Sequence, residues 1–242
     1  MVSKRLFNGF EQNWEKYKKY LKCNYYYRYC GQSQPAWSKR ETKSTFLLLL
    51  QNLRWVPTTK GLCRPCEVFL DSNENREVLG DTVPYLAIEI KNEDFIEAIG
   101  INTEANIEGV LNYLKALIER KSEDKKKFEK LYKFLDEYFE EDSERIKKEF
   151  TNSPLIFVLD TDKKYYRENE VLWKDVSNIF GKNRVYLEKY YPELKKFFLE
   201  KLGISEKPIP KDYADVLCSI SKKGKLSSED KKIIIRIYEE LN

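Results

Sequence analysis

The sequence predicts an α+β protein, predominantly α-helical. Three observations predict it. Apolar residues recur at steps of three and four along most of the chain, the period of a helix with one buried face. Short apolar pieces beside turn residues, such as Trp55-Val56 before Pro57-Thr58-Thr59-Lys60-Gly61, interrupt that pattern and read as short strands. These pieces also return. Glu67-Val68-Phe69-Leu70 is matched 103 positions later by Glu170-Val171-Leu172-Trp173, and Gly100-Ile101 by Gly203-Ile204 at the same spacing. Ser122-Glu123-Asp124-Lys125-Lys126 returns 106 positions later as Ser228-Glu229-Asp230-Lys231-Lys232. Behind it, Phe128, Leu131, Tyr132 and Leu135 return as Ile234, Ile237, Tyr238 and Leu241. The expectation is a tandem repeat of a short β-hairpin-like unit followed by three to four helices. Residues 1–53 read as N-terminal helices, the tail of a preceding repeat; 54–150 as the first module; 151–242 as the second.

In chain order, Leu6, Phe10, Trp14, Tyr17 and Leu21 place an amphipathic helix over 3–22. The Tyr-rich run from Cys23 to Gly31 reads as an aromatic connector, and a second helix as roughly 36–53. Trp55-Val56 and Val68-Phe69-Leu70 are the strands of the first module, and a helix then ends near Ile99. Gly100 suits the left-handed position just past that end. Ile107, Val110, Leu111, Leu114 and Leu117 mark the next helix, and Ser122 reads as the N-cap of the one after. In the second module Leu155 to Leu159 and Val171-Leu172-Trp173 are the strands. Leu194, Phe197, Phe198 and Leu202 line a helix ending at Gly203, Pro210 opens another, and Ser228 caps the last.

Composition bounds the chemistry. With 41% hydrophobic and 35% charged residues the chain is globular rather than disordered. Lys and Arg total 44 against 40 Asp and Glu, so net charge alone does not mark a nucleic-acid-binding protein. There is no histidine, which excludes Ser-His-Asp and Cys-His nucleophile systems and H-E-x-x-H zinc sites within the chain. The start of the sequence lacks an apolar leader pattern and no apolar run approaches a membrane span, so a cytoplasmic chain is expected. Five cysteines, an odd number, argue against a complete disulfide framework.

Trp55-Val56-Pro57-Thr58, Gly61, Arg64-Pro65 and Glu67-Val68-Phe69-Leu70 together resemble a signature that recurs in sacsin and in plant NO VEIN-type proteins. Leu79-Gly80-Asp81, Gly100-Ile101 and the Leu-rich stretch 107–118 are similar to that family as well. The resemblance covers about 55–242 and is strongest over 55–118. It implies a repeat-bearing region of a large protein related to Hsp90-like ATPases. It supplies no catalytic residue, no cofactor and no Gly-rich ATP-binding pattern. The resemblance thus implies a non-catalytic structural or protein-interaction region, partnered by another protein or by adjacent repeats.

Four sets of residues stand as alternatives. Asp81 with Glu89-Ile90-Lys91 imitates the D…E-x-K of Mg²⁺-dependent nucleases, in which two carboxylates hold the metal and a lysine assists water. Tyr85 to Ile88 is the strand such a site needs. Cys63 and Cys66, with Cys23 and Cys30, provide four thiols for a structural zinc, although Cys23 and Cys30 lie outside the usual knuckle spacing. Asp160-Thr161-Asp162 is a D-x-D, a metal-nucleotide clamp in form, but it aligns with the Pro57-Thr58-Thr59 turn and a hairpin loop explains it better. Lys16, Lys18, Lys19 and Lys22 interleave with Tyr17 and Tyr20 and run into Tyr25, Tyr26, Tyr27, Arg28 and Tyr29, a set that combines phosphate-binding charge with stacking surfaces for nucleic acid. The second module has Tyr166, Asn169 and Tyr190 where the first has Cys63, Cys66 and Glu89, so none of that chemistry is repeated.

Overall fold

The computed structural model describes residues 2–28, 37–159, 161, 163–174, 185–222 and 224–241. Among them the chain is predominantly helical, with ten α-helices and four two-stranded sheets. Its contacts divide it into two compact units, Met1–Gly109 and Val110–Asn242. No helix of the described residues is long and apolar enough to cross a membrane.

In the first unit the N-terminal helix is shorter than its periodicity predicts. Helix α1 (Val2–Gln12) breaks at Asn13, whose side-chain amide donates to the Gly9 carbonyl at 3.0 Å. The chain resumes as α2 (Trp14–Tyr17) and tightens into a 3₁₀ turn, Lys18–Tyr20. The next segment departs from the sequence expectation. The Tyr-rich connector and the start of the expected second helix form a hairpin, β1 (Lys22–Arg28) antiparallel to β2 (Trp37–Lys43). Aromatic and β-branched side chains suit a pleated ladder, and these strands lack the helical apolar period. The helix itself, α3 (Thr45–Asn52), starts where Ser44 Oγ accepts the Leu47 amide at 3.1 Å.

A small hairpin comes next, β3 (Val56–Thr58) with β4 (Gly61–Cys63). Its return strand is therefore 61–63 and not the expected 68–70. Thr58 Oγ1 closes the turn by donating to the Gly61 carbonyl at 2.7 Å, and Gly61 holds φ +101°. A 3₁₀ turn, Pro65–Glu67, leads to Phe69, which bridges in parallel to Tyr85 and to Asn102. Helices α4 (Asn73–Leu79) and α5 (Glu93–Ile99) complete the unit. Its core gathers Phe7, Trp14, Trp55, Val56, Phe95, Ile96 and Ile99. Side chains of this size contribute about 1.5–3 kcal/mol each on full burial.

The second unit is built around α6 (Ile107–Glu119), of which it takes the part from Val110 on, α7 (Lys125–Glu137) and α8 (Ser143–Asn152). Lys121, with φ +53°, separates α6 from α7, and the cap of α7 is Asp124, which accepts the Lys127 amide, rather than Ser122. The Ser122 amide instead donates to the Leu117 carbonyl at 2.9 Å, closing the end of α6. Hairpin β5 (Ile156–Phe157) and β6 (Tyr165–Tyr166) lies against α7: the Phe128 and Phe157 rings stack 4.6 Å apart. The segment 171–172 is not the hairpin's return strand; as β7 (Val171–Leu172) it pairs in parallel with β8 (Val185–Tyr186). A 3₁₀ turn, Pro192–Leu194, and a π-helical turn, Phe197–Lys201, carry Phe197 and Phe198 into the core. Helices α9 (Pro210–Ser221) and α10 (Ser228–Leu241) bury Val216, Ile220 and Ile237 between them. The cap of α10 is Ser227, one residue earlier than expected: its Oγ accepts the Asp230 amide at 3.0 Å while Asp230 Oδ2 accepts the Ser227 amide at 2.9 Å.

Candidate functional site

The sequence alternatives occupy different places. Cys63 is buried in β4, its sulfur 3.6 Å from Thr58 Oγ1, so its environment is the interior of a hairpin. Cys66 and Cys23 are exposed, and Cys30 lies outside the described residues. Asp160 and Asp162 also lie outside them. Among the described residues no group of three or more Cys, Asp or Glu side chains is arranged to hold a metal ion.

Asp81 is exposed in the turn after α4, and Glu89 and Lys91, both exposed, lie in an extended segment before α5. The strand expected beneath them is only two residues deep: Tyr85 bridges to Phe69, and Leu86 to Thr58. The Lys91 amide is taken by Glu11 Oε1 at 2.6 Å, and the Asn92 amide by the same oxygen at 3.1 Å. Glu11 is 4% exposed, so this carboxylate is an architectural anchor that fixes the approach to α5. Nothing in the local sequence announces it, because its partners lie 80 and 81 positions away.

The lysine and tyrosine set is brought together. Strands β1 and β2 pair over seven registered positions, and the described side chains of 22–26 and 39–43 are all exposed. The two strands carry Lys22, Arg28, Lys39, Arg40 and Lys43 against a single acid, Glu41. Register places Arg40 opposite Tyr25 and Lys39 opposite Tyr26. Because side chains alternate across a strand, Tyr25, Tyr27 and Arg40 share one face, and Tyr26 and Lys39 the other. The Tyr25 and Tyr27 rings lie 5.6 Å apart, and the Arg40 guanidinium sits 5.5 Å from the Tyr27 ring centre. Tyr26 is 61% exposed, more open than Tyr25.

The base of this ribbon is fixed to the unit. The Ser44 amide donates to the Leu21 carbonyl at 2.9 Å, and the Ser44 hydroxyl donates to the Tyr20 carbonyl. Lys19 Nζ lies 4.9 Å from the Tyr20 ring centre. Lys18 bridges Asp94 and Glu15, each at 2.8 Å, and those carboxylates hold its ammonium above the usual lysine range. Lys22 pairs with Glu41 at 2.5 Å. A groove of about 310 Å³ opens here, lined by Lys18, Lys19, Lys22, Cys23, Asn24 and Glu41. Lys16 is exposed on α2, close in sequence to the same base.

Comparison with protein-family models, with curated proteins and with solved structures returns no match. The site is therefore read from its own chemistry. The sequence points to the β1 half of the ribbon and not to Lys39, Arg40 and Lys43. Their signal is a polar, charged strand beyond the Tyr run, which only the pairing register connects to it.

Proposed function

We propose that the chain is a non-catalytic, repeat-built interaction region, part of a large sacsin- or NO VEIN-like ATPase-related protein. The observation that carries this reading is one hydrogen-bond frame present in each unit. Glu67 Oε2 accepts the Arg64 amide at 3.0 Å, and Glu170 Oε2, 103 positions on, accepts the Arg167 amide at 2.8 Å. The Leu70 amide donates to the Asn102 carbonyl at 3.0 Å, and the Trp173 amide to the Ser205 carbonyl at 3.1 Å. The Leu86 amide donates to the Phe69 carbonyl, and the Leu187 amide to the Leu172 carbonyl, both at 2.9 Å. Gly100 and Gly203 both take a left-handed backbone, φ +85° and +84°. What the two units have in common is turns, caps and apolar faces. An acid/base or metal set is not among it, and that supports a building block over a catalyst. A cytoplasmic location belongs to the same proposal, with the odd cysteine count as its support.

The test is an activity measurement on the purified chain. Incubation with Mg²⁺ and single- or double-stranded DNA is expected to leave the substrates intact. Cleavage that Glu89→Ala and Lys91→Ala both abolish overturns the reading in favour of a metal-dependent nuclease.

A further inference from the structure

We infer that the β1–β2 ribbon is a binding surface for single-stranded nucleic acid. The inference is independent of the repeat reading, since it rests on an element without a counterpart among the described residues of the second unit.

Three features of the ribbon converge. The first is charge. A chain of near-balanced composition concentrates five cations and one carboxylate in fourteen strand residues, with Lys19 lining the groove at its base. A groove or ribbon of that sign attracts a polyanion and displaces its counterions. The second is aromatic surface. Tyr25 and Tyr26 are 46% and 61% exposed on opposite faces of the ladder, outside the hydrophobic core. An exposed ring beside cations is a stacking platform for a base, and stacking accepts any base because every base has a π-face. Arg40 over Tyr27 extends that platform on one face, and Lys39 beside Tyr26 supplies a phosphate partner on the other. The third is reach. Both faces of the strand pair are open, so a flexible strand of nucleic acid can follow either face, its phosphates near the lysines and its bases on the tyrosines.

Single strands are favoured over duplex because the aromatic surface is used only by unstacked bases. In a duplex the bases already stack on one another, and the rings would meet only groove walls. A protein partner with an acidic surface could also engage the tyrosines, and absence of salt-dependent oligonucleotide binding is the outcome that favours it.

The experiment is fluorescence anisotropy with the full chain and labelled oligonucleotides: oligo(dT) and oligo(rU) of roughly twenty nucleotides, long enough to span a single-strand site, and a DNA duplex of the same length. Expected is binding of one or both single strands tighter than about 100 µM at low salt, weakening linearly in log Kd against log salt with a slope near 0.7 per phosphate contacted. Tyr26→Ala is expected to weaken it roughly 5- to 100-fold, and Tyr26→Trp to preserve it, because the second change keeps the stacking plane. Lys39→Glu with Arg40→Glu is expected to weaken binding and to reduce the salt slope by about one or more. All these positions are exposed, so thermal unfolding followed by circular dichroism is expected to stay close to that of the wild type. The proposal is overturned by absence of salt-dependent binding, by tighter binding of duplex than of either single strand, or by binding indifferent to the Tyr26 and Lys39/Arg40 changes. The anisotropy is read without added Mg²⁺ and reports binding alone, so its failure is separate from any cleavage result.

Discussion

Tyr132 donates its hydroxyl hydrogen to the Leu155 carbonyl at 2.7 Å, tying the middle of α7 to the residue that precedes β5. The same oxygen accepts the Phe157 amide at 2.9 Å, and the Tyr191 hydroxyl donates to the Phe157 carbonyl at 2.7 Å. A strand pair only two residues long thus has its backbone completed by side chains. Tyr132→Phe keeps the ring and leaves a buried carbonyl and a buried amide without this partner. The expected loss is about 1–3 kcal/mol, measured by urea unfolding of the variant against wild type.

The same two phenols predict the alkaline behaviour. Burial pushes the Tyr132 hydroxyl well above the ordinary tyrosine range, and burial with the Glu129 charge raises that of Tyr191. The folded chain therefore keeps both protons where the unfolded chain releases them. Their contribution is fully present below about pH 10 and is lost as pH rises from there toward the folded-state values. Urea midpoints measured from about pH 8 to pH 11, a range that spans the unfolded tyrosine value, are expected to fall at the upper end. The fall is expected to be shallower in Tyr191→Phe.

Gly100 and Gly203 are expected to respond alike. A side chain at either meets open space, so the penalty is purely one of backbone conformation. Ala in the left-handed region costs roughly 1–2 kcal/mol. Gly100→Ala and Gly203→Ala should each lower the unfolding midpoint by a similar amount, read by thermal melts of the two variants. A large effect at one and none at the other would contradict their equivalence.

These two glycines also show what the sequence makes legible. A helix end needing positive φ is a local demand, so Gly100 and Gly203 mark it from composition alone. Pro210 at the start of α9 and the apolar face Phe128, Leu131, Tyr132 and Leu135 of α7 are local in the same sense. The ribbon is different. Both its faces are exposed, so no alternation of apolar and polar residues identifies it as strand, and Tyr runs carry no helical or strand period. Helix α8 is hard to read for a related reason: it buries only Ile146 and Phe150. Of the candidate site, the lysines and tyrosines of 16–28 are visible in the sequence, while their partners on 39–43 depend on the pairing register of β1 with β2.

Glu11 is the clearest non-local case and gives a further prediction. Its carboxylate accepts two backbone amides, from Lys91 and Asn92, at a buried position. Glu11→Ala removes both acceptors and is expected to cost about 1–3 kcal/mol, while Glu11→Gln, which keeps one carbonyl oxygen, is expected to cost less. Chemical denaturation of the two variants checks the order.

The ribbon has one more consequence, which concerns the chain's own solubility. Neither outer edge of β1 or β2 pairs with another strand among the described residues, so each offers a row of backbone donors and acceptors to a further strand. Such edges recruit other chains, and charged side chains, lysine above all, are a common guard against it. Lys22, Lys39, Arg40 and Lys43 thus insulate two sticky margins by mutual repulsion between copies. Salt removes that insulation, since screening shortens to about 3 Å at 1 M. Edge-to-edge self-association should then grow with ionic strength, visible as rising light scattering, under the conditions that release a bound polyanion.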